Sequence, residues 1–230
     1  MSTSDRKRGR QSKRDAESVN YVPASFDPLS TEQISTTICE RFERQPLVAM
    51  GSDLPQFEGA GLYAIYYRGE GIEFYRPLSN LQIPVYVGRA RSIAGRTNKV
   101  NPKRLFGRLR DHRESIIGGN LPVAEFRFRA LLMPDVHIDL GENGLVNGYR
   151  PVWNVLLTGF GGREQGQRTR QATKTKWDTV HAGRKRTDGG TTHDASILIE
   201  EMRAHIEKQV ADYDDLPWPH PGGRERLINP

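Results

Sequence analysis

Two short triplets, Gly61-Leu62-Tyr63 and Tyr86-Val87-Gly88, are followed by Arg108-Leu-Arg-Asp-His112, then by Glu142, then by Asn154. Arg108 and His112 stand four apart, so on a helix they project from one face. A guanidinium fork suits a non-bridging phosphate oxygen. Glu142, alone at its position, suits a single hard cation, Mg2+ by default, with waters filling the remaining sites. These types meet the needs of phosphodiester hydrolysis: an activated water, positive charge on the phosphoryl oxygens, and help for the departing 3′ oxygen, which a metal supplies as a Lewis acid. Taken singly, none compels that chemistry. Tyrosines in strands are ordinary core aromatics, Arg108 and His112 make a solvated helix face, Glu142 near a helix start favours the macrodipole, and Asn154 suits a cap or turn.

The elements that must carry these residues are legible in outline. Gly61–Tyr67 is rich in β-branched and aromatic residues and reads as a strand, and Ile83–Gly88 as a second. Asn101–Gly118 reads as a helix with Leu105, Leu109 and Ile116 on one face. Glu125–Met133 alternates apolar and basic residues, as a third strand does. Asp139–Tyr149 spaces Leu145, Val146 and Tyr149 like a short helix despite Gly144 and Gly148, and Pro151-Val-Trp-Asn154 follows as a strand or turn. Upstream, Ser30 or Thr31 offers a cap to an amphipathic helix carrying Ile34, Ile38 and Phe42. Downstream, Glu200–Val210 reads as a helix and the tail from Pro217 as loose. His137, His181 and His193 have no partner at metal-ligand spacing.

Charge adds a second pointer. The 230 residues carry 34 Lys+Arg against 28 Asp+Glu, a net +6. Residues 1–14 hold +5, residues 86–113 hold +8 and residues 161–186 hold +6, so the remainder is −13. Two basic blocks inside the body are the footprint expected for a phosphate backbone. Arg104, one turn before Arg108, and Arg89, directly after the second triplet, are candidate DNA contacts. Arg168, Arg170, Lys174, Lys176 and Arg184 stand among Gln165, Gln167 and Gln171, types suited to base-edge readout as well as to phosphate. A lone Cys39 excludes a disulfide framework and cysteine-rich zinc modules. No apolar run approaches the roughly 20 residues of a membrane span, and no apolar stretch follows the basic N-terminus, so neither membrane nor secretory targeting is expected.

The ordered set of triplets, Arg-x-x-x-His, Glu and Asn resembles the GIY-YIG nuclease superfamily, across about residues 61–154. The 22 residues between Tyr63 and Tyr86 exceed the family's usual spacing. That excursion, with the tract at 165–184, is similar to the Type II restriction endonuclease branch. The resemblance implies an α+β fold: a small central three-stranded antiparallel sheet flanked by helices, with an insertion at about 68–82. Residues 1–20 are read as a disordered basic tail, 21–57 as a helical extension, 58–160 as the nuclease core and 161–230 as a DNA-binding extension and tail. It implies Tyr63 as general base, its phenol helped by Arg108, His112 and the metal, and Tyr86 orienting the water or binding the scissile phosphate. It also implies Glu142 holding Mg2+, with Mn2+ as a substitute, and Asn154 fixing Glu142 or a tyrosine through its amide. The expected partners are double-stranded DNA and a second copy of the chain, in a prokaryotic cytosol, with room for a cognate methyltransferase. The products would be 5′-phosphate and 3′-hydroxyl ends at a short palindrome.

Competing readings are weaker. A PD-(D/E)xK site fails because, after Pro134-Asp135, Gly141 and Gly144 stand where lysine is needed two residues beyond Asp139 and Glu142. Structure-specific, repair and homing members of the superfamily would carry extra modules that are not visible. A catalytically dead DNA-binding module would be expected to lack Tyr63, Arg108 or Glu142, and all three are present.

Overall fold

A computed structural model describes residues 27, 30–51, 53–93, 100–161, 173–184 and 190–220. The basic tail at 1–20 and the candidate contacts Arg168 and Arg170 lie outside the described residues. The sheet has four strands rather than three. Its order is β1 (Val48–Ala49), β4 (Phe126–Leu132), β2 (Gly61–Tyr67) and β3 (Tyr86–Ala90), with every pair antiparallel. The added strand is two residues long, too short to leave a period-2 signal.

All seven residues of β2 are buried, because helices cover both faces of this central strand. On one face lie α1 (Thr31–Glu43) and α4 (Asp135–Tyr149), packed on each other. Glycines permit that approach: a Cβ on Gly141 would lie 2.6 Å from Ile38 of α1 as well as 2.4 Å from the Leu62 side chain of β2, and one on Gly144 2.3 Å from Ser35 Oγ. The glycines that seemed to weaken this helix are therefore its contact surface. α1 begins without a cap from Ser30 or Thr31; Asp27 Oδ2 accepts from the Thr31 N–H at 2.6 Å instead. The same side buries an ion pair, Arg129–Glu43, completed by Tyr149 Oη on Glu43 at 2.8 Å and by Tyr66 and Gln82 on Arg129.

The other face of β2 meets α3 (Arg104–Gly118), whose stripe of Leu105, Leu109, His112 and Ile116 is buried. Residues 68–82 hold a 3-10 turn (Glu73–Tyr75) and the short helix α2 (Arg76–Ser79). They pack against α7 (Ala195–Ala211), where Arg203 pairs with Glu73. After α4 come α5 (Val152–Val155) and α6 (Lys176–Val180). The chain from Pro217 is not loose as far as it is described: Leu216 and Trp218 are buried, and Trp218 lies edge-on to Tyr149. Among the described residues no helix is long and apolar enough to cross a membrane.

His181 is a core residue. Its Nε2 lies 2.8 Å from Tyr75 Oη, which also accepts the Trp153 indole N–H at 2.6 Å. Burial pushes its pKa down to about 3.

Candidate active site

The two triplets meet because of strand register. Tyr63 lies directly opposite Gly88, and Ile65 opposite Tyr86, so Tyr63 and Tyr86 are diagonal neighbours on one face of the β2–β3 pair. Their rings are 6.2 Å apart. Gly88 is what makes the arrangement fit: a Cβ there would lie 2.5 Å from Tyr63 Oη and 2.9 Å from Tyr86 Cε1. Gly61 answers a different need, since its Cβ would fall 2.0 Å from the Leu131 carbonyl oxygen of β4.

α3 lays His112 over this face. Tyr63 Oη is 2.6 Å from His112 Nε2, and the imidazole also lies 5.1 Å from the Tyr86 ring. His112 is almost wholly buried, and burial, reinforced by Arg108 and Arg184, drives its pKa well below the ordinary histidine value. Burial likewise drives Tyr63 well above the usual phenol range, with Tyr86 adding to it and Arg108 opposing. At neutral pH both groups are therefore uncharged, and in the Nδ1–H tautomer of His112 the Tyr63 hydroxyl donates to the Nε2 lone pair. His112 thus meets the phenol as a hydrogen-bonding partner rather than as a positive charge. Arg108, half-buried one turn earlier on α3, donates through Nη2 to the Gly161 carbonyl at 3.3 Å.

Glu142 sits in the middle of α4 rather than at its start, which removes the macrodipole explanation. Burial raises its pKa, as does Asp139, while Arg89 pulls it down. Glu142 in turn raises that of Tyr86, where burial is the larger cause. Its Oε2 is 2.7 Å from Arg89 Nη1, and Arg89 and Arg91 both pair with Asp139. Arg89 is thus engaged by two carboxylates, not presented free to a phosphate. Among the described residues no group of three or more His, Cys, Asp or Glu is placed to hold a metal. One half-buried carboxylate with solvent access fits a cation that keeps most of its waters, as Mg2+ does, provided Arg89 yields.

Asn154 does not reach Glu142 or a tyrosine. Its Oδ1 accepts from the Val87 N–H at 2.8 Å and its Nδ2 donates to the Val87 carbonyl at 2.8 Å. The Trp153 N–H adds a bond to the Val85 carbonyl at 2.9 Å. Pro-Val-Trp-Asn is therefore a short helix that covers the open edge of β3, doing what a further strand would do for an edge.

The candidate DNA contacts divide. Arg104 opens α3, partly exposed, one turn before Arg108. Lys176 opens α6 and Lys174 precedes it, both partly exposed. Arg184 is not a surface contact: its side chain is 8% exposed, bonded to Asp178 and stacked 4.2 Å over Trp177. Sequence reasoning also passed over Phe160 and Gly161. Phe160 stacks on His112, centroids 4.7 Å apart and planes within 16°. A Cβ on Gly161 would lie 2.7 Å from Tyr86 Oη. The available signal was an aromatic flanked by glycines just after the Pro-Val-Trp-Asn segment.

A search of curated proteins finds no match. The sequence profile of the Eco29kI GIY-YIG domain matches residues 55–213, which takes in both triplets and α3 through α7. Covering well over half the chain, the match and the site together identify the protein as a member of the Eco29kI family of GIY-YIG nucleases, a Type II restriction endonuclease family.

Proposed function

We propose that this nuclease is a Type II restriction endonuclease. On this reading it hydrolyses double-stranded DNA at a short palindrome, with Mg2+, to leave 5′-phosphate and 3′-hydroxyl ends. The observation that carries the reading is the 2.6 Å contact between Tyr63 Oη and His112 Nε2, made on the face that also holds Tyr86 and Arg108. Tyr63 takes the proton of the attacking water as its own passes to His112 Nε2. The buried phenol thereby never has to exist as a free phenolate, and the imidazolium its proton creates, which burial and Arg108 disfavour at rest, forms only as negative charge develops on the attacked phosphate. Arg108 leaves the Gly161 carbonyl for a non-bridging oxygen of the scissile phosphate, where charge grows in the transition state. Tyr86, beside Tyr63 and within the field of Glu142, positions the water or the phosphate by its hydroxyl.

Glu142 is the residue that would hold Mg2+ or Mn2+, and Arg89 releases it for that purpose. When bound, the ion stabilises charge on the departing 3′ oxygen. Arg104, Lys174 and Lys176 follow the flanking phosphates. Each chain offers one such site, so cutting both strands of a palindrome calls for a homodimer with matching two-fold symmetry. The setting is a prokaryotic cytosol, where a methyltransferase acting on the same site would protect the host DNA.

The test is cleavage of unmethylated phage or plasmid DNA with Mg2+, followed by sequencing of the fragment ends. Discrete fragments sharing one end motif, with 5′-phosphates, support the reading. A smear or intact DNA removes the site-specific part of it.

A further inference from the structure

Phe160 and Gly161 form a roof over the catalytic face. The Phe160 ring lies on His112 and meets Tyr86 edge-on at 5.1 Å, while the Gly161 carbonyl receives Arg108 at 3.3 Å. The backbone beneath this roof is gripped from one side chain far along the chain. Arg184 Nη1 donates to the Phe160 carbonyl at 3.0 Å and Nη2 to the Gly159 carbonyl at 3.2 Å. Its Nε donates to Asp178 Oδ1 at 2.7 Å, its guanidinium lies over Trp177, and Thr175 Oγ1 donates to Asp178 Oδ2 at 2.6 Å. Trp177 in turn packs 5.2 Å from Phe160. Only a planar fork reaches two successive carbonyls and a carboxylate at once; an ammonium cannot.

We propose that Arg184 is a positioning residue of the nuclease reaction. By holding the carbonyls of Gly159 and Phe160 it keeps Phe160 seated on His112 and the Gly161 carbonyl beside Arg108. It thereby fixes the imidazole that bonds Tyr63 and the resting aim of the guanidinium. The 161–186 block, basic by composition, so contributes at this position to the chemistry from beneath rather than to the DNA surface. The inference rests on the nuclease reading, since positioning matters only if the site cleaves.

Arg184→Lys keeps a cation beside Asp178 but cannot hold both carbonyls, and Phe160→Leu removes the stack without touching Arg184. Each should lower the single-turnover cleavage rate by about tenfold or more, as small misplacements in an active site do, with DNA affinity in Ca2+ unchanged. In both variants, without DNA, the His112 ring-proton resonances should move downfield as the ring-current shielding from Phe160 is lost. The double variant should lose no more rate than the worse single one. A loss of affinity with a shallower salt dependence in Arg184→Lys would make it a DNA contact and overturn the inference. So would an unchanged rate and unchanged His112 resonances, whatever happens to thermal stability. If the wild-type protein cuts no DNA, the nuclease reading fails by itself, and the His112 resonances still decide whether Arg184 seats Phe160.

Discussion

Asn154 offers the sharpest test of how the site is held, because its side chain does one job twice. Both of its bonds go to Val87, the residue between Tyr86 and Gly88, at 2.8 Å each. Val87 is fully buried and β3 is the edge strand on this side of the sheet. Asn154→Ala strands one N–H and one carbonyl there. At about 1–3 kcal/mol for each buried polar group left without a partner, with relaxation favouring the low end, the loss is about 2–4 kcal/mol. For a chain of this size that is a Tm decrease of about 4–16 °C. Tyr86 shifts with β3, and a displacement near 1 Å costs about a hundredfold in turnover. The assay pairs thermal unfolding with single-turnover cleavage over a Mg2+ titration. Asn154→Asp should fare no better, because an oxygen would then face the Val87 carbonyl. An Ala variant with wild-type Tm and rate would refute this account of the edge. A variant whose only defect is a weakened Mg2+ requirement curve would return Asn154 to the neighbourhood of Glu142.

Three further outcomes follow from other parts of the site. Tyr63→Phe removes the hydroxyl bonded to His112 and should cut the cleavage rate by about 10²–10⁴-fold while leaving DNA binding in Ca2+ intact; a rate near wild type would displace Tyr63 as the base. Gly88→Ala places a Cβ 2.5 Å from Tyr63 Oη and should cost about 1–3 kcal/mol together with most activity; an unchanged unfolding midpoint would contradict the register. His181, held near pKa 3 when folded against an ordinary value of 6.5, is protonated only in the unfolded chain across that window, so it lowers stability as pH falls below about 6.5. Relative to His181→Gln, the wild type should lose about 1.4 kcal/mol more per pH unit there; parallel curves in chemical denaturation would show that His181 titrates normally.

What could be read from the sequence, and what could not, divides along physical lines. β2, the buried stripe of α3 and the meeting of the two triplets are local periodicity plus pairing, and their residues announce them. Glycines in α4 could be seen, but their purpose could not, because it lies in α1, a hundred residues away. Pro-Val-Trp-Asn could be read as strand or turn since it replaces a strand with a short helix and one side-chain amide. Basic composition marked Arg184 as a surface residue; only the fold shows that Asp178, Trp177 and two carbonyls absorb it. Arg89 followed the second triplet as expected, yet its carboxylate partners sit on a helix about fifty residues later. Long-range pairing of charges is the part of this site that composition and spacing do not encode.

The most direct test of the central claim sets cleavage against binding in Glu142→Gln. DNA carrying the mapped site is offered to wild type and variant, with cleavage followed in Mg2+ and binding followed in Ca2+. The variant should bind that DNA with wild-type affinity and leave it intact in Mg2+. Mg2+-dependent cutting by Glu142→Gln at the wild-type rate would remove Glu142 from the reaction, and with it the single-metal site proposed around it.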